Sequence, residues 1–539
     1  MMKDSINLTG SICRKALVLW CLMAACAMSG YAQRKQAPLP PGLDAYVEKV
    51  LKVFHVPGLS IAVVKDGQVV LAKGYGVRKT GSGLPVDEHT LFPIASNSKA
   101  FTATALGILA ERGKLRWDDP VIDHLPWFRL SDPYVTRELT IKDLLVHNSG
   151  LAPYAGDLLQ FPVTTFTRRE IAEKIRHLPL VNSFRSAYAY DNVLYLVAGE
   201  VIKAVSGLDW EDFIRQEILT PVGMRETLHR FSLFQQQANA AASHIPDSKG
   251  NISVLETFFE EGMSDKSNPA GGIVSNAADM ARWMQVQLDS GKTASGKPLF
   301  TPATASLLWQ GVNPMPELNV PAWIAPARTS LNSYALGFRV YMNRGTKVVT
   351  HGGKLDGFVS CVMMFPEINL GITVLTNQES GNAYNAIIQH LADYYLKTAP
   401  FDWIAGYRKQ EDAKFARFSQ LEQQALGVRD SNSRPALPLE KYCGTYRDPW
   451  YGDVTINMKD GNLLMKFSHT PVFYGKLEHW QYETFIVRWD HREVRGDAFV
   501  TFSLTPEGKI DAVKMKAVSP LTDVSLDFHD LDLKPVNKN

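Results

Sequence analysis

The chain has 539 residues, of which 45% are hydrophobic and 21% are charged, and its formal net charge is +2. A composition of this kind is typical of a globular protein with a large buried core. The nearly balanced charge gives no reason to propose a nucleic acid as a partner.

The first 32 residues have the pattern of an export signal. Basic residues precede an apolar stretch at residues 16–27, and residues 30–32 form a cleavage site of the small-x-small type. The stretch is shorter than the roughly 20 apolar residues that a spanning helix needs. We therefore expect an exported protein, periplasmic or secreted, with no transmembrane helix in the mature chain. One alternative stays open, because residues 23–26 form a loose lipobox in which Cys26 would carry a lipid anchor.

Cysteine and histidine usage gives no indication of a metal site. Outside the leader only Cys361 and Cys443 remain, and we assign them to different domains, so a disulfide between them is not expected. No Cys/His cluster has the spacing of metal ligands. The prediction is therefore a protein without a metal and without a cofactor.

The predicted elements begin after a polar, Pro-rich linker at residues 33–42. A helix at residues 43–54 precedes a β-hairpin at residues 59–75, whose Asp-Gly turn is a strong hairpin signal. A long helical region follows, which includes helices at residues 192–205, 209–218 and 277–288. Four strands are then predicted at residues 334–341, 347–350, 358–365 and 371–376, followed by a last helix at residues 383–396. Because strands from both ends of this region can pair, we predict an α+β fold, an α/β sandwich with a helical subdomain.

The character of the chain changes after a polar connector at residues 401–437. From residue 438 to residue 539, short strands recur every eight to twelve residues, which predicts a separate all-β barrel or sandwich. The strands are predicted at residues 444–447, 453–458, 463–467, 485–489, 498–504, 510–515 and 524–528. An aromatic run at residues 479–482 is either part of the barrel core or a contact patch toward the first domain.

Ser96 marks the point where a strand-like stretch gives way to a run of helix formers. It is predicted to be the N-cap or a first-turn residue of that helix. Lys99 follows three residues later and would lie on the same helix face. A hydroxyl beside an amine is a way to make an activated nucleophile. Taken alone, the pair also fits a capped helix with a surface lysine.

Two further motifs carry residues that suit catalysis. Tyr190-Asp191-Asn192 stands at the start of the predicted helix 192–205, and His351-Gly352-Gly353 directly follows the predicted strand 347–350. Each has an ordinary structural interpretation: a core aromatic with a helix cap, and a loop between strands.

Together, in this order, the three motifs resemble the S-x-x-K, Y-x-N and K-T-G or H-x-G motifs of the penicillin-recognising serine hydrolases. This family includes class C β-lactamases, DD-peptidases, D-aminopeptidases and esterases. Residues 140–151 and 268–281 also resemble segments of the family, so the resemblance covers roughly residues 42–396. It implies a β-lactamase/transpeptidase-like domain at residues 33–400. The tail at 438–539 resembles the small lipocalin-like domain that is often appended to such enzymes.

The resemblance implies a serine hydrolase that forms an acyl-enzyme on Ser96. A serine hydroxyl needs an adjacent base, and Lys99 must be neutral to act as one. Tyr190 as a phenolate is the alternative base, and the sequence leaves this choice open. The tyrosine would also protonate the leaving group.

The remaining motif residues are expected to hold the substrate. Asn192 would orient the substrate carbonyl or the catalytic lysine. The oxyanion hole would combine the Ser96 N–H with a backbone N–H just after His351-Gly352-Gly353, near Lys354. The two glycines would let the substrate lie close against the strand edge.

His351 departs from the lysine of the β-lactamase pattern, which supplies a fixed charge for the substrate carboxylate. Histidine is charged only below about pH 6.5 unless its pKa is shifted. This favours an esterase, or a peptidase with a preference for D-residues, over an efficient β-lactamase. Lys354 or an arginine elsewhere is the alternative carboxylate anchor.

The expected partner is a small-molecule or peptide substrate, with peptidoglycan fragments among the candidates. Two other hypotheses stay open. In one, the protein is a binding protein with weak or no catalysis that works through its tail. In the other, the tail gates the hydrolase site.

Overall fold

The structure is a computed structural model of the chain. It describes five stretches: residues 37–247, 250–256, 263–427, 429–519 and 522–536. The predicted export signal at residues 1–32, with Cys26, lies outside the described residues. Within those five stretches, no helix is long and apolar enough to cross a bilayer.

An antiparallel sheet of eight strands forms the centre of the first domain. In spatial order the strands are Gln68–Gly76, Gly58–Lys65, Leu370–Thr376, Phe358–Phe365, Thr346–Leu355, Arg339–Asn343, Ser330–Tyr334 and Asn313–Pro314. The N-terminal hairpin pairs with a strand from the far end of the domain, and Ile61 lies opposite Val374. The predicted pairing of strands from both ends is therefore confirmed.

Helices cover both faces of this sheet. Gly352 and Gly353 are neighbours on one strand and so point to opposite faces. A Cβ on Gly352 would face Tyr384 of the helix Gly381–Leu396, whereas one on Gly353 would meet Ile94 and Ala95 beside Ser96. The result is a three-layer domain with the turn that carries Ser96 on one face.

A helical subdomain is inserted between the hairpin and the later strands. Its α-helices and the helices that flank it within the described residues are Leu43–Phe54, Ser98–Glu111, Val121–His124, Pro133–Glu138, Asp143–Val146, Arg168–Lys174, Val193–Ser206, Trp210–Ile214, Thr220–Val222, Asn268–Gly271, Ala277–Leu288 and Pro302–Leu308. The helix predicted at residues 209–218 changes to a π-helical turn at Arg215–Leu219. The α+β architecture predicted from the sequence is confirmed.

Two of the predicted strands have different limits. The segment 334–341 is two strands joined by a reversal, in which Gly337 has a φ of +77°. A Cβ on Gly337 would lie 2.7 Å from the Lys99 carbonyl oxygen, so the chain turns where only glycine fits. The strand predicted at 347–350 continues to Leu355, so His351-Gly352-Gly353 lies inside a strand and not after it.

The connector at 401–437 is mostly helical. Its helix spans Trp403–Gly427, a length of 25 residues, although the sequence there is polar. Trp403 and Tyr407 at the start of this helix are buried, and the Trp403 indole donates to Asp393 at 2.6 Å. The first turns of the helix are thus anchored by large buried side chains, and Arg408 and Glu411 add hydrogen bonds to Val53 and Ser380.

The tail forms a nearly closed antiparallel barrel of eight strands. The strands are Gly444–Asp448, Gly452–Lys459, Asn462–Phe467, Tyr474–Gln481, Thr484–Trp489, Ala498–Leu504, Ile510–Ala517 and Lys534–Pro535. A bridge between Val513 and Leu533 brings the two ends of the strand order together. We call this unit the C-terminal barrel.

One prediction for the C-terminal barrel is wrong. Residues 524–528 do not form a strand, and only a short 3-10 turn, Phe528–Asp530, follows them. Of the two alternatives left open for the aromatic run 479–482, the described contacts fit the barrel core: Trp480 is buried, and its ring centroid lies 5.7 Å from that of Phe499. The run lies at the end of a strand, where the Arg429 side chain from the connector donates to the Trp480 carbonyl oxygen at 3.0 Å.

The C-terminal barrel is docked on the helical subdomain of the first domain. The Asp527 carboxylate accepts from the backbone N–H of Gly156 at 2.8 Å and of Leu158 at 3.1 Å. The rings of Phe166 and His469 stack with their centroids 3.9 Å apart. We call residues 522–527 the docking segment, because they carry the barrel's contacts to the centre of the first domain.

Candidate active site

Ser96 lies in a tight 3-10 turn, Ala95–Asn97, which leads into the helix Ser98–Glu111. Ser96 is therefore not the helix N-cap, and no side-chain cap bond is formed there. Ala95 has a φ of +47°, a conformation that costs a non-glycine residue about 1 kcal/mol or more. The Asn97 side chain donates to the Ser360 hydroxyl at 2.8 Å and so fastens the turn to the central sheet.

The Lys99 ammonium is buried and has three acceptors around it. Its Nζ lies 3.2 Å from the Ser96 Oγ, 2.7 Å from the Asn192 Oδ1 and 2.8 Å from the Ala270 carbonyl oxygen. Burial lowers the pKa of Lys99 to about 7, against the opposing effect of nearby carboxylates. A large fraction of the lysine is therefore neutral at neutral pH.

The hydrogen-bond partners of Lys99 determine where the Nζ lone pair points when the side chain is neutral. The Asn192 Oδ1 and the Ala270 carbonyl only accept hydrogen bonds, so the two remaining N–H groups of the amine point to them. The lone pair is then left for the hydroxyl of Ser96. A neutral Lys99 in this place can act as a general base toward the Ser96 hydroxyl.

Tyr190 lies on the other side of the nucleophile. Its hydroxyl is close enough to Ser96 for the serine to influence its pKa, and the Lys99 Nζ is 5.0 Å from the centroid of its ring. Burial raises the pKa of Tyr190 to about 12, although Ser96 and the nearby Arg339 act to lower it. Tyr190 is therefore a phenol that can donate a proton, whereas Lys99 is the group that titrates near neutrality.

Asn192 is held by a hydrogen-bond chain that reaches the C-terminal barrel. Its Nδ2 donates to the Asp157 Oδ2 at 2.7 Å, and the Ser525 hydroxyl of the docking segment donates to the same oxygen at 2.8 Å. These bonds also fix which side of the Asn192 amide faces Lys99. Burial raises the pKa of Asp157 to about 6.

His351 is buried within the strand Thr346–Leu355. Its Nδ1 lies 2.7 Å from the Gly352 carbonyl oxygen, so this nitrogen carries the proton, and its Nε2 accepts from the Tyr334 hydroxyl at 2.8 Å. Burial lowers the pKa of His351 well below its usual range, and the nearby Arg339 and Lys99 add to this effect. The third motif therefore presents a neutral imidazole and no cation for a carboxylate.

Gly353 allows the strand to approach the turn that carries Ser96. A Cβ there would lie 2.1 Å from the Ile94 carbonyl oxygen and 2.5 Å from the Ser360 hydroxyl. Gly352 is different, because a Cβ on it would meet only ordinary contacts of 3.6 Å or more. The two glycines of the motif thus differ: packing requires a glycine at 353, whereas a methyl group would fit at 352 with ordinary contacts.

Lys354 does not extend free into the cavity. Its ammonium pairs with the Asp523 carboxylate of the docking segment at 2.9 Å. Although burial acts to lower it, the pKa of Lys354 is raised by Asp523. Beside it, Arg495 of the barrel pairs with Asp356 at 3.0 Å and with Glu379 at 2.6 Å.

These residues surround a cavity of about 540 Å³ that reaches Ser96. Its wall comes from both domains, and the side chains that line it include Tyr190, Asn192, Arg339, Lys354, Arg495 and Asp523. Sequence reasoning missed Asp157, Arg339, Asp523 and Ser525, which belong to none of the three motifs. Among the described residues, no group of three or more His, Cys, Asp and Glu side chains is placed to hold a metal ion.

A serine beside a buried lysine and a tyrosine, at the edge of such a sheet, is the arrangement of the beta-lactamase-fold serine hydrolases. The chain belongs to the beta-lactamase family, whose model matches residues 43–396. A domain of unknown function, DUF3471, matches residues 428–535.

Curated relatives resemble most of the chain. An unguisins hydrolase, UngD', from Aspergillus campestris is 29% identical over 455 residues, which are 80% of this chain and 81% of that protein. The protein Flp of Staphylococcus aureus is 26% identical over 381 residues, which are 69% of this chain and 70% of that protein.

Solved structures show the same fold. The octameric penicillin-binding protein homologue from Pyrococcus abyssi aligns with a TM-score of 0.56 at 21% identity and covers 88% of this chain and 97% of its own. SurE with D-Leu aligns with a TM-score of 0.52 at 19% identity and covers 92% of this chain and 99% of its own.

Proposed function

We propose that this protein is an exported serine hydrolase that forms an acyl-enzyme on Ser96 and cleaves an ester or amide. The observation that carries the proposal is the placement of Lys99. It is buried, and its pKa is lowered to about 7. Among its hydrogen-bond partners in the described part of the chain, only the Ser96 hydroxyl can give up a proton.

Acylation begins when neutral Lys99 takes the proton of the Ser96 hydroxyl. The oxygen attacks the substrate carbonyl carbon, and the charge that develops on the carbonyl oxygen is held by the Ser96 N–H and a backbone N–H near Lys354. Losing one donor of such an oxyanion hole typically costs about 10²–10³ in kcat.

Tyr190 suits the second half of the step. It keeps its proton at neutral pH and lies against Ser96, so it can protonate the leaving group as the tetrahedral intermediate collapses. The proton that Lys99 took from Ser96 then restores the phenol of Tyr190, which leaves Lys99 neutral again. In deacylation the same two groups act in reverse on a water molecule.

The comparisons support a small-molecule or peptide substrate. One relative is named a hydrolase of unguisins, and one structure of the same fold was solved with D-Leu. Together with the neutral His351, this favours an ester or a D-residue peptide bond over a β-lactam. Peptidoglycan-derived peptides are among the candidate substrates.

The test is covalent labelling of the purified protein with a fluorophosphonate, followed by peptide mass spectrometry. We expect one adduct, on Ser96, and none in Ser96→Ala. A screen of p-nitrophenyl esters, nitrocefin and D-amino-acid amides with both proteins then identifies the substrate class. The absence of an adduct on Ser96, together with turnover that survives Ser96→Ala, would refute the proposal.

A further inference from the structure

The helix Trp403–Gly427, which we call the connector helix, carries two phenylalanines that belong to the wall of the catalytic cavity. Phe415 and Phe418 line the cavity that reaches Ser96, and so does Val524 of the docking segment. We call these three side chains the apolar patch. All three lie outside the part of the chain that the beta-lactamase family model matches.

The apolar patch is not part of the hydrophobic core. Residues 410–421 of the connector helix are all described, and none of them is buried. Phe415 and Phe418 are half-buried, and Val524 is 58% exposed. Single exposed apolar residues are common on proteins, but a group of them on the wall of one cavity is typical of a ligand site. Contact with water is unfavourable for such a group and is relieved when an apolar ligand covers it.

Helix geometry places the two phenyl rings on the same side of the connector helix, because residues three apart are neighbours on a helix surface. The other residues from 410 to 421 are charged, polar or alanine, except for Leu421, which does not line the cavity. Two of the three large apolar side chains in this stretch therefore lie where a substrate, and not the core, would cover them.

The charged groups beside the apolar patch are paired with one another. Asp523, the residue before Val524, forms an ion pair with Lys354 at 2.9 Å. Arg495 of the barrel forms an ion pair with Asp356 at 3.0 Å. Because these charges are already balanced, the surface that this wall offers to a ligand is chiefly the apolar patch.

Tyr190 indicates which part of a substrate meets the apolar patch. In the proposed reaction the Ser96 oxygen bonds to the carbonyl carbon, the bond from that carbon to the leaving oxygen or nitrogen breaks, and Tyr190 gives its proton to the leaving atom. Tyr190 lines the cavity of about 540 Å³ that contains the apolar patch. A smaller pocket of about 80 Å³ also reaches Ser96, and its described lining includes Phe161 and Met263 but not Tyr190. The leaving group therefore departs into the larger cavity.

We propose that the apolar patch binds the leaving group of the substrate, which is then an ester or amide of a large apolar alcohol or amine. The acyl part occupies the smaller pocket. The connector helix and the docking segment thus determine which leaving group is accepted. This inference rests on the proposed function, because it names the substrate class of the same site.

The test uses two pairs of esters that differ in the length of one alkyl chain. In the first pair the chain is on the leaving group: 4-butylphenyl acetate against 4-methylphenyl acetate. The two phenols have nearly the same acidity, so the comparison reports binding of the chain. In the second pair the chain is on the acyl group: phenyl pentanoate against phenyl acetate. The measured quantity is the ratio of kcat/KM for the longer ester to kcat/KM for the shorter one.

We expect the wild type to prefer 4-butylphenyl acetate by about tenfold, because the three added methylene groups lose part of their contact with water. The double variant Phe415→Ala/Phe418→Ala should lose this preference, and Phe418→Leu should keep part of it. Val524→Ser, on the other side of the domain boundary, should lower the same ratio.

The matched control is Leu421→Ala, which removes an exposed apolar side chain of the same helix that does not line the cavity. It should leave both ratios unchanged. The ratio for the acyl pair should be the same in all these variants. If the phenylalanines only attached the helix, their loss would lower kcat/KM for both esters of a pair equally, and the ratio would not move.

Three results would overturn the inference: no preference for the longer leaving group in the wild type, an unchanged leaving-group ratio in the double variant, or a response of the acyl pair in its place. Fluorophosphonate labelling of Ser96 is measured in parallel. If the wild type is labelled and the leaving-group ratio does not respond, only the apolar subsite is wrong. If Ser96 is not labelled in the wild type, the proposed function itself fails.

Discussion

The two walls of the cavity at Ser96 come from different domains: one carries the proposed catalytic groups, and the other carries side chains that hold neighbouring residues in place. In the proposed mechanism the first domain supplies Ser96, Lys99 and Tyr190, the groups that move protons. The docking segment of the C-terminal barrel supplies Ser525 and Asp523, which bond to groups of the first domain and leave the nucleophile untouched. The chemistry therefore belongs to the first domain, and the barrel sets the surroundings in which it takes place.

The largest effect, a loss of kcat/KM, is expected from a substitution in the first domain's wall of the cavity. Replacing Lys99 by Met removes the general base, and kcat/KM should fall by about 10³-fold, within the range such groups contribute. The rate of Ser96 labelling should fall with it. The control is Lys414→Met, which replaces an exposed lysine that lines the same cavity and should keep wild-type kinetics. Equal rates for Lys99→Met and the wild type would remove Lys99 from the mechanism.

The next effect concerns the strand between the two walls. In Gly353→Ala the new methyl group would collide with the Ile94 carbonyl oxygen, so the strand and the Ser96 turn must separate. We expect a loss of about 1–3 kcal/mol in unfolding free energy, as for other overpacked sites, together with most of the activity. Gly352→Ala is the matched variant, with only ordinary contacts. Urea unfolding of both proteins distinguishes them, and equal stability would contradict this account.

The smallest effect is expected on the barrel wall. Ser525→Ala removes one of the two hydrogen bonds that the Asp157 Oδ2 accepts. Because one such bond contributes about 1 kcal/mol, we expect kcat/KM to fall about five- to tenfold. The pKa of Asp157 should then rise, and the weaker negative charge should move the titration of Lys99 to lower pH. Ser503→Ala, at an exposed position of the barrel, is the control. A pH profile identical to that of the wild type would mean that the barrel does not position the site.

The sequence predicted the first wall better than the second. Residue types at motif spacing identify Ser96, Lys99 and Tyr190, because the chemistry itself requires those groups. The sequence could not show that the pKa of the lysine falls and that of the tyrosine rises, since both shifts come from burial by distant parts of the chain.

The docking segment shows why the barrel wall was missed. Its alternation of apolar and polar residues predicts a strand with one buried face and one solvent-exposed face. In the structure Leu526 and Phe528 are buried, but Asp527 is buried as well, against the first domain. The sequence pattern of a strand or loop is the same whether its polar residues contact another domain or water. Only the tertiary structure distinguishes the two.

The third motif was misplaced for a related reason. Two glycines in succession favour the end of a strand, yet this strand continues to Leu355. Gly353 is needed there for another reason, since a larger residue would collide with the turn that carries Ser96. Likewise, the sequence could not show that Lys354 is paired, because its partner Asp523 lies 169 residues further along the chain.

The central claim is that Lys99, with its lowered pKa, activates Ser96. The most direct test is the rate of fluorophosphonate labelling of Ser96 between pH 5 and pH 9. Lys99 acts only when neutral, so labelling should be slow below its pKa, rise about tenfold per pH unit, and level off above about pH 7. A rate that is flat across this range, with the adduct still on Ser96, would contradict the account.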